Sequence, residues 1–316
     1  MNRRTIALLG ALLLATGCSA TGGPESKGQG GKEPPLDTAL TVRTGSDIKL
    51  PLDEFHNASI SDRDVLRAED VLMRSCAKRF GYTIPPAKIT DEPSKFNANG
   101  RRYGLISADD ARTYGYHPSP NHMPDRMPGS DGSADESRRP KGISDEQYSL
   151  LLFGESGDIG GGAKRTAQPK AGGIPEGGCF GEARRKLGQG ASKKPVIDVN
   201  VLDEEAFKRT ENDSRVREVS QAWVSCMKKA GYAYKGIWEV HEDARWKSPA
   251  PTAQERTTAE ADVRCKQETR LATVWFQVES AYQNEVLEKH AEAVQATREQ
   301  YRNESRNAAK VLADES

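Results

Sequence analysis

Four cysteines in two matched pairs constrain this chain more than any other feature. The phrase Ser75-Cys76-x-Lys78-x-x-Gly81-Tyr82 recurs as Ser225-Cys226-x-Lys228-x-x-Gly231-Tyr232. The other two cysteines share a second phrase, Cys179-x-x-Glu182-x-Arg184 and Cys265-x-x-Glu268-x-Arg270. Along the chain the kinds alternate: first, second, first, second. That order reads as a duplicated module with one internal bridge in each copy, Cys76–Cys179 and Cys226–Cys265. Four zinc ligands are the competing reading. No Cys-x-x-Cys spacing supports it, and an export signal ahead of the cysteines favours oxidation.

The export signal is the opening MNRRTIALLGALLLATGC. Arg3 and Arg4 make a basic start, an apolar run follows from Ile6 to Thr16, and small residues precede a cut. The run is shorter than the roughly 20 residues that a spanning helix needs. Its end, LATGC, resembles the lipobox of bacterial lipoproteins. That resemblance implies cleavage after Gly17 and a diacylglycerol on the Cys18 sulfur, so that lipid rather than a helix holds the mature chain to the membrane. An ordinary cleavage site with an incidental cysteine is the plainer alternative. Residues 18–45 are rich in Gly, Pro, Ser, Lys and Glu and read as a flexible tether.

The 316 residues carry 46 basic and 46 acidic side chains. That balance argues against nucleic acid as a partner. Apolar residues are 35% of the chain and mean hydropathy is −0.74. Small helical cores joined by long loops and held covalently fit these figures better than one large core. The expected fold is therefore mainly α: two small disulfide-stapled helical modules, residues 46–190 and 191–316, with long loops and a long C-terminal helix.

Each repeated phrase closes a helix. In SDRDVLRAEDVLMRSCAKRFGY, Val65, Leu72, Cys76 and Phe80 fall on one stripe. Ser61, Asp62 and Asp64 suit its start and Gly81 its left-handed end. In the second copy Val216, Val219, Trp223, Cys226 and Ala230 step by three or four; Asp213 or Ser214 can cap, and Gly231 stops the helix. Each Tyr after the Gly can fold back on the stripe. Ser107 and Ser144 start two further short helices ending in Gly. From Thr252, capped through Glu255, to Ala313 no Pro or Gly interrupts a helical pattern with a mostly apolar seam from Leu271 to Leu312. A continuous helix of that length spans roughly 90 Å. It is either an arm for self-association or for docking an envelope protein, or a helix packed back on the first module or left as a solvated tail.

Catalytic signatures are incomplete. His241-Glu242-x-x-Arg245 has Arg where a zinc protease motif needs its second His. His117 and His122 flank a Pro-rich loop without a third ligand. The Gly-rich stretch from Gly154 lacks the Walker spacing, since Gly162 is followed by Ala163-Lys164-Arg165. Gly154-x-Ser156-Gly157 lacks the nucleophile-elbow spacing. No cofactor motif and no metal set emerge. All four tryptophans, Trp223, Trp238, Trp246 and Trp275, lie in the second module. They read as its core or as a recognition face.

Leu50-Pro51-Leu52-Asp53, Cys76 to Tyr82, RYGLISADDARTYGY, GGCFGEARRKLG, AWVSCMKKAGY, ADVRCKQETRLATVW and EKHAEAV together resemble a group of secreted actinobacterial lipoproteins without an established activity. The resemblance implies export and the helical disulfide plan, and it transfers no catalytic residue. The expected function is a lipid-anchored protein on the outer face of the cytoplasmic membrane, a non-enzymatic scaffold or binding subunit of the cell envelope. An extracytoplasmic enzyme built around His241, Glu242 and the tryptophans is the alternative.

Overall fold

The computed structural model describes residues 32–56, 62–89, 98–119, 136–154 and 173–315. Cys18, Ser61, His122 and the body of the Gly-rich stretch, residues 155–172, lie outside them. Among the described residues all regular structure is helical. The α-helices run α1 Arg63–Arg79, α2 Ala108–Tyr114, α3 Asp145–Phe153, α4 Gly178–Leu187, α5 Val199–Glu211, α6 Ser214–Lys229, α7 Ile237–His241, α8 Ala253–Glu268, α9 Leu271–Lys289 and α10 Ala291–Ala313.

The two repeated phrases fold alike. Asp62 caps α1 by accepting from the Asp64 and Val65 amides, and Asp213 caps α6 by accepting from Arg215. Gly81 (φ 84°) and Gly231 (φ 92°) end the helices in the left-handed conformation. The Tyr82 amide reaches back to the Ala77 carbonyl at 3.1 Å and Tyr232 to Met227 at 2.9 Å. Gly81 and Gly231 bond to the carbonyls of Lys78 and Lys228. This double turn satisfies the last carbonyls of each helix. Both tyrosines then pack on the neighbouring apolar cluster.

Both bridges form as the alternation implies. Cys76 on α1 joins Cys179 on α4 with Cα atoms 5.5 Å apart, and Cys226 on α6 joins Cys265 on α8 at 5.6 Å. The chain is thus a mainly helical, twice-stapled fold. Disulfides of this kind point to an oxidising, extracytoplasmic setting. No described helix is long and apolar enough to cross a membrane.

Three expectations need correction. The C-terminal helix is long, 23 residues in α10, but the stretch 252–313 is three helices rather than one continuous helix. α8 stops at Thr269, Arg270 turns left-handed (φ 57°, ψ 26°) and α9 begins at Leu271; a second break falls at His290. Neither break carries Gly or Pro. Breaking there lets α9 bury along its length and α10 cover the first module, and that burial outweighs the local backbone cost. α10 packs against α1 and α4, where Ala308 meets Val65, Ala68 and Leu187. Asn307 donates to the Leu187 and Gln189 carbonyls at the end of α4, at 2.7 and 2.8 Å.

Next, the segment expected as a tether to residue 45 is held from Pro34 onward. Pro34 is buried and its carbonyl accepts from Arg215 at 2.8 Å. Leu36, Leu40 and Val42 pack on the main core, where Thr273 and Gln277 of α9 take up the backbone of Val42 and Leu40. These apolar residues are spaced too widely to register as an element.

Finally, packing crosses the expected boundary at 190/191. Residues 34–316 form one compact unit. The largest core draws Leu52, Phe55, Tyr103, Leu105 and Tyr116 from the first half to Trp223, Met227, Trp275 and Val286 of the second. A smaller cluster surrounds the Cys76–Cys179 bridge with Met73, Tyr148 and Leu152. The reason is that α2 lies on α8 while α10 returns to α1.

Candidate functional site

The chemistry-bearing groups converge on α8. Its Asp262 and Lys266, one turn apart, are both buried, 0% and 2% exposed. Lys266 Nζ donates to Asp262 Oδ2 and to the Leu105 carbonyl, both at 3.0 Å. Asp262 Oδ1 accepts from Trp223 Nε1 at 2.9 Å and Oδ2 from the Tyr116 hydroxyl at 3.4 Å. Burial pushes the Asp262 carboxyl up and the Lys266 ammonium down, although each partner pulls the other back towards its charged form. Every polar atom of the pair is matched, which is the condition for a buried charge pair to persist.

His241 stands beside this pair. Its Nε2 accepts from the Leu105 amide at 3.1 Å and lies 4.0 Å from Asp262 Oδ2. An Nε2 that accepts cannot carry a proton, so the ring is neutral. Burial, followed by the nearby Lys266 and Arg101 charges, lowers its pKa to about 2. His241, the histidine of the incomplete zinc-protease motif, is therefore a structural acceptor. Its companion Arg245 grips Asp243 and the Tyr234 hydroxyl (2.7 Å) and lies over the Trp246 ring. Among the described residues no three His, Cys, Asp or Glu gather to hold a metal.

Glu255 holds the first turn of α8. It completes the capping box with Thr252, as the sequence expects. Fully buried, it also accepts from the Tyr116 amide and from His117 Nδ1, both at 2.8 Å. Arg101 donates to the Tyr116 and His117 carbonyls at 2.6 and 2.7 Å. A second ion-pair group ties α9 to the first half. Arg102 Nε donates to the buried Glu279 at 2.7 Å and its Nη2 to Asp203 at 2.7 Å. Gln283 bridges Asp203 and the Leu52 amide.

The tryptophans divide. Trp223, Trp246 and Trp275 are buried, whereas Trp238 is 39% exposed. Rings join three of them, Trp238, Trp246 and Trp275, in a series: Phe207 on Trp275 (6.2 Å), Trp275 on Trp238 (6.3 Å), Trp238 on His241 (6.2 Å), His241 on Tyr116 (4.8 Å) and Tyr116 on Trp246 (5.7 Å). Of the two readings of the tryptophans, core or recognition face, three rings are placed in the core and Trp238 alone is exposed. In the first module the repeated Glu182 bonds Arg79 and Lys186, which together hold its carboxyl down at about 2. That pairing ties α4 to the end of α1 beside the bridge. A surface hollow of about 590 Å³ lined by Phe55, His56, Val196 and Asp198 includes none of these groups.

Sequence reasoning missed Asp262 and Lys266, because charged residues one turn apart on a helix look the same whether solvent or protein covers them, and it missed Arg101 and Arg102, which sit in a turn where no local signal marks their distant partners. The HED segment and the GLIS run were the available signals, each supplying one wall of the buried centre. No family model, curated protein or solved structure matches the chain.

Proposed function

We propose that the chain is a lipid-anchored extracytoplasmic protein, attached through Cys18 to the outer face of the cytoplasmic membrane and acting as a non-enzymatic scaffold or binding subunit. The observation that carries this reading is the pair of disulfides, which staple both groups of helices and belong to an oxidising compartment. The opening signal with Cys18 supports the anchor. The use of His241, Asp262, Lys266 and Glu255 as internal ties supports a binding rather than a reacting body. Because packing begins at Pro34, only the 16 residues from Cys18 to Glu33 link the lipid to the folded part. Even fully extended they reach about 55 Å. Its partners would then be membrane components or proteins close to the bilayer, with Trp238 and the polar outer stripe of α10 (Glu299, Arg302, Arg306, Lys310) available for contact.

Mass analysis of the mature N-terminus should give a diacylglyceryl-modified Cys18, and Cys18→Ala should move the protein out of the membrane fraction. Recovery of Cys18→Ala in membranes at the wild-type level would refute the anchor. Cross-linking in intact cells should then capture a membrane-proximal partner with the Cys18 form and lose it with Cys18→Ala.

A further inference from the structure

His117 follows α2 and is 21% exposed. Its Nδ1 lies 2.8 Å from Glu255 Oε1 and its Nε2 2.8 Å from the Ser248 carbonyl oxygen. A backbone carbonyl can only accept, so Nε2 must donate. Glu255 Oε1 is an acceptor too, since it also takes the Tyr116 amide at 2.8 Å. Nδ1 must therefore donate as well. A neutral imidazole has one N–H, and only the imidazolium satisfies both bonds. We propose that His117 is a pH-operated latch: its protonated ring clamps the segment after α2 to the start of α8 and to the 247–251 connection, and proton loss releases the Ser248 side.

The charged groups at the ring are Glu255 from α8 and Arg101 from the turn before α2, whose own charge is balanced by Asp110 of α2 and by Glu255. The bond to Ser248 and then the bond to Glu255 favour the charged ring, while burial and Arg101 oppose it; the balance raises its pKa. On deprotonation the ring keeps the bond to Glu255, because that carboxylate is fully buried and needs its donor. Nε2 then turns a lone pair on the Ser248 oxygen, and the two repel. Ser248 belongs to the connection that follows Trp246, so release loosens that connection where it meets the segment after α2.

The sign follows from linkage. A group whose proton is held more tightly in the folded state stabilises the fold fully below its unfolded value, about 6.5, and loses that contribution as pH rises through the folded value. Each tenfold difference in proton affinity between the folded and unfolded ring is a tenfold change in the folding equilibrium across that window.

The test uses the intact, oxidised chain. The His117 imidazole, assigned in the wild-type protein through its own backbone connectivities, should titrate above about 6.5. Amides of residues 247–252 should exchange faster above that midpoint in wild type, while His117→Gln, which cannot gain a proton, should show no such step. A wild-type midpoint at or below 6.5 overturns the latch even if the variant does not fold. So does exchange of 247–252 that changes identically with pH in both proteins.

Discussion

Gly104 shows how much of the buried centre depends on single atoms. It has φ 79°, and a Cβ there would sit 2.6 Å from His241 Nε2 and 2.7 Å from Lys266 Nζ. Gly104→Ala must strain the backbone and push apart two groups whose bonds are already made, so a loss of about 2–4 kcal/mol in denaturant unfolding is expected. Lys266→Met leaves Asp262 without its cation in a fully buried place and should cost about 3–5 kcal/mol. Adding Asp262→Asn to Lys266→Met should recover part of that loss, since the amide removes the stranded charge. If the double variant is no more stable than the single, charge pairing is not what Lys266 contributes. Trp223→Phe removes the Nε1 donor to Asp262 and leaves a gap, for about 2–4 kcal/mol. None of these pairings could be read from the chain. Asp262 and Lys266 have the spacing of a solvent-facing pair, and only the arrival of Leu105, Tyr116 and Trp223 from distant segments covers them. The cysteines were legible because their repeated neighbours encode a local motif.

At the scale of elements, helix starts and stops were legible wherever the residue that makes the cap is local. Ser107, Ser144 and Thr252 cap α2, α3 and α8, and Gly81 and Gly231 end α1 and α6. The corners at Arg270 and His290 were not, because no local residue demands them; the gain comes from what α9 and α10 then cover. That difference alters what a truncation should do. A helix projecting into solvent can be cut with little consequence. α10 instead buries Val294, Ala296 and Ala308 and shields Val65 and Leu187. At about 1.5–3 kcal/mol for each fully buried large aliphatic side chain, removing residues 291–316 should cost on the order of 5 kcal/mol. The measurement is urea unfolding of the shortened chain against the full one. Equal midpoints and equal protease resistance at α1 and α4 would mean that α10 does not cover them in solution.

At the scale of the molecule, two bridges and two histidines act on one cooperative body. The bridges close loops of 103 and 39 residues. In the chain-entropy account these are worth about 4.7 and 3.9 kcal/mol, so losing the Cys76–Cys179 bridge should be the more damaging. The histidines set the pH at which the body is most stable, and they pull in opposite directions. His117 contributes below about 6.5 and fades as pH rises through its raised folded value. His241 is held neutral, with its pKa lowered to about 2. Its unfolded counterpart takes a proton below about 6.5, so the fold binds fewer protons than the open chain there. The stability that neutral burial permits is whole above about 6.5 and is lost as pH falls towards 2, at about 1.4 kcal/mol per pH unit. For these two rings the maximum lies near 6.5. His241→Gln separates them. Gln can still accept from the Leu105 amide through its side-chain oxygen, but it cannot take a proton. The variant should be less stable than wild type at pH 7 because the aromatic contacts to Tyr116 and Trp238 are gone. Between pH 6 and 4 its stability should fall less steeply than that of wild type, by about 1.4 kcal/mol per pH unit. Parallel curves for the two proteins over that range would mean that His241 takes its proton inside the folded body.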